Sequence, residues 1–476
     1  MPPLRIAHLS IRLAILQATL LATLLATLAV QPVLAETRVP ETQAEISLGF
    51  APLVKAAAPA VVNIYVKRVV QTRASPFQGD PLFEDMFRGF GELRPRVQNS
   101  LGSGVILSPD GYIVSNYHVV GEATDIRVVL NDRREFAARV VLADEQSDLA
   151  LLRIEGAQGL PHLSLRDSDT LEVGELVLAI GNPFGVGQTV SSGIVSGLAR
   201  SGGAMGSARG YFIQTDAPIN PGNSGGALID INGDLIGVNT RIVSRSGGSN
   251  GIGFAIPARL VGAFLAQAEA GNARFLRPWA GINGQPVDSD IAESIGLGLP
   301  GGIMVSELHR ESPFFKAGFA PGDVILSIDG QLVNTPAEMI FRMSVAGIGN
   351  TAEVSVFHEG NIATRGVTLT TAPDVPARKA LVTGDNTPLP GVTLLNLNPA
   401  VLAEFGLPLS SDGVVVAETG PLGARAGLRA GDVITEINGT RVSDTRAAQR
   451  KLAASGRWLS LTVERGGQLV QLRFRL

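Results

Sequence analysis

The sequence predicts a mainly β chain in which one barrel or sandwich unit is followed by a duplicated smaller domain. Three observations carry that expectation. Between residues 101 and 256, short apolar runs alternate with glycine-marked turns, among them 102–107, 126–130, 149–154, 176–180, 212–215 and 235–240. Further on, Ala317-Gly-Phe-Ala-Pro-Gly-Asp-Val-Ile325 is repeated as Ala426-Gly-Leu-Arg-Ala-Gly-Asp-Val-Ile434, an offset of 109 residues. A period of that size marks a duplicated domain rather than a solenoid. The third observation is the abundance of turn formers, 56 glycines and 28 prolines in 476 residues, as many short strands require.

Length alone suggests roughly three domains at about 150 residues each. Hydrophobic residues at 45% and charged residues at 17% describe an ordinary globular chain rather than a disordered one. A formal net charge of -4 supplies no basic field for a nucleic-acid backbone, so that class of partner is excluded. The absence of cysteine excludes a disulfide framework, a thiolate metal site and a cysteine nucleophile. No motif calls for a metal or another cofactor.

At the N-terminus, Arg5 and Arg12 precede an apolar run of 18 residues from Leu13 to Val30, and Gln31-Pro-Val-Leu-Ala35 sets small residues ahead of a cut. This layout reads as a secretory signal, residues 1–35, exporting a mature chain that starts near Glu36. The run is also close to the minimum that spans a bilayer. A retained anchor is therefore the competing reading, and membrane association is expected only if the segment stays uncut. Residues 47–55 read as a short amphipathic helix and 61–66 as the first strand. From Arg68 to Asn99 a polar stretch carries Phe77, Phe83, Phe87 and Phe90. An insertion of that length reads as functional or mobile rather than core, against a plainly disordered loop with incidental aromatics. Residues 257–266 read as a closing helix. The expected domains are 36–270 for the barrel unit with its inserted loop 68–99, 275–372 for the first repeat and 388–476 for the second. Between the two repeats lies a linker, 373–387, and the boundary falls around Ala372-Pro-Asp-Val-Pro-Ala-Arg-Lys379, where proline and charge replace the apolar pattern.

Chemistry enters with Asn220-Pro-Gly-Asn-Ser-Gly-Gly226, where glycines let the backbone fold tightly around a serine. A serine is a poor nucleophile alone and needs a base and an orienting acid. Upstream stand His118, in Tyr112-Ile-Val-Ser-Asn-Tyr-His-Val-Val120, and Asp148, in Gln146-Ser-Asp-Leu-Ala-Leu-Leu152. Singly, each has a bland reading: a turn serine, a satisfied core histidine, a strand-edge cap. Jointly, in one β-rich segment and in the order His, Asp, Ser that chymotrypsin uses, they read as a catalytic triad. Asp148 then accepts the Nδ1 proton of His118, His118 takes the serine proton, and Ser224 Oγ attacks a carbonyl. The turn Gly222, Asn223 and Ser224 is expected to form the oxyanion hole, with the N–H groups of Gly222 and Ser224 as donors. Asp144, Asp216 and Asp230 are competing acids; Asp148 is preferred because it abuts the apolar run 149–154.

These motifs, with Ile180-Gly-Asn-Pro-Phe-Gly185 and Gly251-Ile-Gly-Phe-Ala-Ile-Pro257, resemble the protease domain of the Do-like (Deg/HtrA) serine proteases. With the signal and the repeat, the resemblance covers nearly the whole chain. It implies a chymotrypsin-like double β-barrel followed by two PDZ domains, as in the DegP and DegQ type. It further implies periplasmic quality control, homo-trimers, and higher multiples of trimers. Where trypsin-like relatives carry an acid, this chain has Pro218. The pocket formed by Pro218, Ile219 and Asn220 is therefore expected to take small aliphatic residues, which are exposed chiefly in unfolded chains. PDZ domains add a peptide C-terminus as an extra strand. The first copy is expected to hold the carboxylate on the loop Trp279, Ala280, Gly281 and Ile282. The second, Pro388-Leu-Pro-Gly-Val392, lacks a donor at Pro390 and is expected to bind poorly. By the same resemblance, peptide capture orders the glycine-rich loop 201–209 and completes the oxyanion hole, while the insertion 68–99 resembles a regulatory loop that reaches a neighbouring active site. Two functions are carried forward: an ATP-independent serine endopeptidase for unfolded polypeptides, and a PDZ-based holdase or scaffold that mainly binds them.

Overall fold

The computed structural model describes residues 49–74, 92–182, 187–200, 211–220, 222–242, 249–456 and 458–475. The expected signal, the tip of the insertion and the loop 201–209 lie outside the described residues. Among the described residues, no helix is long and apolar enough to cross a membrane.

Two closed six-stranded barrels come first. The first runs in the order β1 (Val61–Ala74), β2 (Glu92–Ile106), β3 (Tyr112–Ser115), β6 (Leu149–Ile154), β5 (Glu135–Asp144) and β4 (Asp125–Val129). Alternation drives it: along β4, Ile126 and Val128 are buried while Asp125 and Arg127 are exposed, the period-two pattern of a half-buried strand. Val62, Ile64, Ile106, Ile113, Val128 and Leu152 meet in its core. The second barrel runs β10 (Ala227–Asp230), β11 (Leu235–Ile242), β12 (Gly253–Pro257), β9 (Phe212–Thr215), β8 (Thr189–Arg200) and β7 (Leu176–Gly181). Val177, Ala179, Val195, Leu228 and Ile236 fill it. Closure leaves neither sheet with an open edge.

The expected insertion 68–99 is shorter than its sequence suggests. β1 and β2 pair from Val61↔Val105 out to Ala74↔Glu92, so residues 68–74 and 92–99 are arms of the barrel ladder rather than loop. The expected closing helix is present as Ala258–Glu269, with Ala258, Val261, Phe264 and Ala268 buried at helical spacing. The short helix expected at 47–55 is Ala51–Ala57.

Each repeat folds into a sheet with a helix against it. The first is ordered β13 (Ile282–Pro286), β14 (Ile303–Leu308), β15 (Val324–Ile328), β17 (Thr351–His358), β18 (Asn361–Thr368), with β16 (Gln331–Leu332) on β15. Its helix Pro336–Ala346 starts at Thr335, whose side chain accepts the Glu338 N–H, and opens on a proline. The second is ordered β19 (Leu381–Val382), β20 (Thr393–Asn396), β21 (Val414–Glu418), β22 (Val433–Ile437), β24 (Trp458–Arg465), β25 (Gln468–Arg475), with β23 (Thr440–Arg441) on β22. Its helix Thr445–Ala453 is capped by Asp444, which accepts the Ala447 N–H. Residues 381–382, expected in the linker, therefore belong to this sheet. They escape a pattern reading because two residues carry no periodicity.

Candidate active site and peptide cleft

His118 and Asp148 come together because Asn116 ends β3 in extended geometry and a single helical turn, Tyr117–Val120, presents the imidazole. Asp148 closes the β5–β6 turn in a left-handed conformation, φ 53°, a strained position for a non-glycine residue. The turn is tied down on all sides. Asn116 Nδ2 and the Tyr117 N–H donate to the Asp148 carbonyl at 3.0 and 3.1 Å, and the His118 N–H donates to Asp148 Oδ1 at 3.0 Å. His118 Nδ1 then lies 2.9 Å from both carboxylate oxygens. Burial pushes the Asp148 carboxyl up. The hydrogen bond and charge of His118, the Thr240 hydroxyl and the His118 N–H outweigh it and hold the group below the usual carboxylate value. The rival acids are spoken for elsewhere: Asp144 takes Arg277, Asp216 the Ile194 N–H, and Asp230 Arg166.

Thr240, which sequence reasoning missed, joins the three residues. Its hydroxyl donates to Asp148 Oδ2 at 2.6 Å, and its carbonyl accepts Ser224 Oγ at 3.2 Å. No hydrogen bond links Ser224 to His118 in this structure; the serine hydroxyl is given to Thr240 instead.

Around Ser224 the backbone requires glycine. Gly222 and Gly225 have φ of 99° and 82°, and a Cβ at Gly225 would lie 2.1 Å from the Ser103 carbonyl oxygen. Ser103, from β2 of the other barrel, pins the turn: its N–H donates to the Ser224 carbonyl at 2.9 Å and its hydroxyl to the Gly222 carbonyl at 2.7 Å. Among the described residues the N–H groups of Gly222 and Ser224 have no partner. The N–H of Asn223, the middle residue of the expected oxyanion turn, donates to the Asn220 carbonyl at 2.9 Å and braces the turn.

The three residues expected to shape the substrate pocket are placed differently from one another. Pro218 is exposed, with its carbonyl on the Ser191 hydroxyl. Ile219 is only 2% exposed and packs in the second barrel's core. Asn220 holds the nucleophile turn through its carbonyl and the Ser249 N–H through its side chain.

A cavity of about 630 Å³ is lined by the loop 278–282, by one stripe of the helix Pro336–Ala346 (Ala337, Ile340, Phe341 and Ser344), and, from the second repeat, by Ala400, Leu402 and Leu407. No strand pairs with the outer edge of β13 among the described residues. The Trp279 N–H is not available there: it donates to the Thr370 carbonyl at 2.8 Å. This corrects the expected set of loop donors to Ala280 and Gly281, with Ile282 opening β13. The cavity also touches the barrel domain. Phe341 stacks on Tyr211 at 4.1 Å, and Arg342 donates to the Tyr211 hydroxyl at 2.9 Å and pairs with buried Asp169. Just ahead of the loop, Arg277 forms a two-pronged pair with Asp144, at the end of β5 four residues before Asp148. Burial raises the Asp144 carboxyl, but Arg277 and Ser147 outweigh this and leave it below the usual value.

A family model of the trypsin-like peptidase domain matches residues 102–238, and two models of PDZ domains match 280–369 and 413–465. The chain is 37% identical over 430 residues to the periplasmic pH-dependent serine endoprotease DegQ of Escherichia coli (strain K12), covering 89% of this chain and 91% of that one. It is 40% identical over 407 residues to a probable periplasmic serine endoprotease, DegP-like, of Halomonas elongata, covering 82% and 84%. Among solved structures, the HtrA-type protease AlgW with decapeptide is similar at a TM-score of 0.51 and 40% identity, over 68% of this chain and 99% of that one.

Proposed function

Since this chain belongs to the HtrA (Do-like) family of serine endoproteases, we propose that it cuts unfolded polypeptides in the periplasm through an acyl-enzyme formed on Ser224. His118 is the base that takes the Ser224 proton and returns it to the leaving amine; Asp148 fixes the His118 tautomer and favours the imidazolium. For attack, the serine hydroxyl has to leave the Thr240 carbonyl for the free side of His118. The Gly222 and Ser224 N–H groups then receive the oxyanion, each donor contributing about 10² to 10³ in rate. The observation that carries this reading is the 2.9 Å contact of His118 with a buried, ionised Asp148 that Thr240 ties to Ser224.

The test is degradation of a reduced, denatured protein by the purified enzyme beside Ser224→Ala. The variant is expected to lose about 10⁶ in rate; equal turnover overturns the mechanism. A holding function without cutting is the second reading, supported by the apolar cavity that the first PDZ domain shares with the barrel domain and the second repeat. It would survive in Ser224→Ala as suppression of aggregation.

Cleavage after small aliphatic residues belongs to the same reading, because Pro218 offers no charge to a cationic side chain. Preference for Arg or Lys in a peptide library refutes it. The first PDZ domain takes substrate C-termini as a strand on β13, the carboxylate meeting the Ala280 and Gly281 N–H groups. Residues 1–35 direct export, and the working unit is a homo-trimer or a multiple of it; N-terminal sequencing of the mature protein and sedimentation analysis test these two.

A further inference from the structure

In the second PDZ domain the place that a peptide would take is already filled. β20 pairs on one side with β21 and on the other with β19, antiparallel, in the register Leu381↔Leu394 and Val382↔Thr393. That second side is the outer edge, which in the first PDZ domain has no strand paired to β13 among the described residues. Strand addition to a PDZ domain uses this edge. Upstream, the Asn396 N–H donates to the Arg378 carbonyl at 2.7 Å, and the hydroxyl of Thr445, first residue of the domain's helix, donates to the Lys379 carbonyl at 3.2 Å. Residues 378–383 thus run between the edge strand and the helix, as a bound peptide does.

The end of this segment meets the loop that would hold a carboxylate. Gly391 and Val392 correspond to Gly281 and Ile282, each pair leading into its edge strand. The Gly391 N–H donates to the Thr383 carbonyl at 2.9 Å, and the Val392 N–H donates to Thr383 Oγ1 at 2.9 Å. Two oxygens of one residue therefore accept the two N–H groups, as the two oxygens of a terminal carboxylate would. Thr383 is 2% exposed, and its own N–H returns a bond to the Val392 carbonyl at 2.9 Å.

We propose that residues 378–383 are a tethered internal ligand of the second PDZ domain, with Thr383 in the role of the carboxylate. The missing donor at Pro390 is then secondary: the domain is closed because it has already bound its own chain. A ligand joined by a short linker acts at an effective concentration on the order of 1 mM, so free peptides at micromolar concentration do not displace it. The full-length chain holds no second peptide site until the segment is released.

The probe is the hexapeptide Arg-Lys-Ala-Leu-Val-Thr, the sequence of residues 378–383, with a free carboxylate, titrated calorimetrically into the full-length protein. The variants are Thr383→Pro, which removes the N–H and hydroxyl that hold the segment, and the milder Thr383→Val, which removes the hydroxyl alone. A gain of one binding event per chain in either variant over the wild type supports the proposal. The comparison is a difference, so it stands whether or not the first PDZ domain takes this probe. Wild type with two comparable sites, or cooperatively melting variants with no added site, overturns it. Hydrogen exchange of the wild type gives an answer that needs no variant. The Leu381 and Thr383 amides are expected to keep their protection at saturating probe; accelerated exchange there overturns the proposal.

Discussion

The two PDZ domains descend from one pattern and differ at one edge. Both sink an aspartate, Asp323 or Asp432, each 1% exposed, under an arginine of the same sheet: Arg365 of β18 in the first, Arg465 of β24 in the second. Both cap the cleft helix with a side-chain oxygen. Among the described residues one outer edge has no strand partner and lies beside a cavity that reaches Tyr211 of the barrel domain and Leu402 of the second repeat; the other edge carries β19. Their attachments differ as well. Arg277 and Arg342 tie the first domain to Asp144 and Asp169, whereas no ion pair among the described residues joins the second domain to the barrels. Duplication preserved what makes the domain fold. The edge without a paired strand among the described residues belongs to the copy that Arg277 and Arg342 tie to the barrel domain.

The largest effect should come from the shared part. Replacing Asp323 or Asp432 by Ala removes the buried partner of the partly exposed Arg365 or Arg465 and leaves the Ala320 or Arg429 N–H without its acceptor, and each is expected to destabilise its own domain by about 1–3 kcal/mol in urea unfolding. A loss below about 1 kcal/mol in one copy alone would break the kinship argued above. Next come the paired loop glycines. Gly281→Ala and Gly391→Ala both impose a left-handed conformation costing about 1–2 kcal/mol, at φ 62° and 76°. A Cβ at Gly281 would also lie 2.7 Å from the Trp279 ring and 2.9 Å from Ser312 Cβ, while at Gly391 it meets nothing within 4 Å. Peptide affinity, read by fluorescence anisotropy, is therefore expected to fall about tenfold or more with Gly281→Ala and to stay unchanged with Gly391→Ala.

The smallest effect concerns the wiring. Asp144 is held below its ordinary value, with Arg277 and Ser147 as the lowering partners. A depressed carboxylate contributes stability that is complete above its unfolded value of about 3.9 and is lost as pH falls through the lower folded value. Asp144→Asn is thus expected to melt lower than wild type at neutral pH, with the gap closing only below about pH 4. A gap that closes between pH 5 and 7 would assign the stabilisation to another group.

Much of the molecule was legible in its residues. Glycine around Ser224, and His118 and Asp148 beside apolar runs, announce themselves locally because a nucleophile turn and a shielded acid need those neighbours. Thr240 and Ser103 do not. Each acts through a hydroxyl and a backbone group reaching across strands, and Val238-Asn-Thr240 reads as plain strand. The Trp279 N–H was misassigned because its acceptor, Thr370, lies at the far end of the domain. β19 was hidden among proline and charge, since two paired residues give no alternation to detect. Contacts made by the backbone over long sequence separations leave little mark on side-chain pattern.

Ser103 carries one more consequence. A residue of the first barrel grips both carbonyls that frame the nucleophile of the second, so the cutting turn keeps its shape only while the two halves stay in register. A slip of an ångström or two between them would disarm the enzyme with both barrels still intact. On warming, proteolysis should therefore fade before the β-sheet signal does.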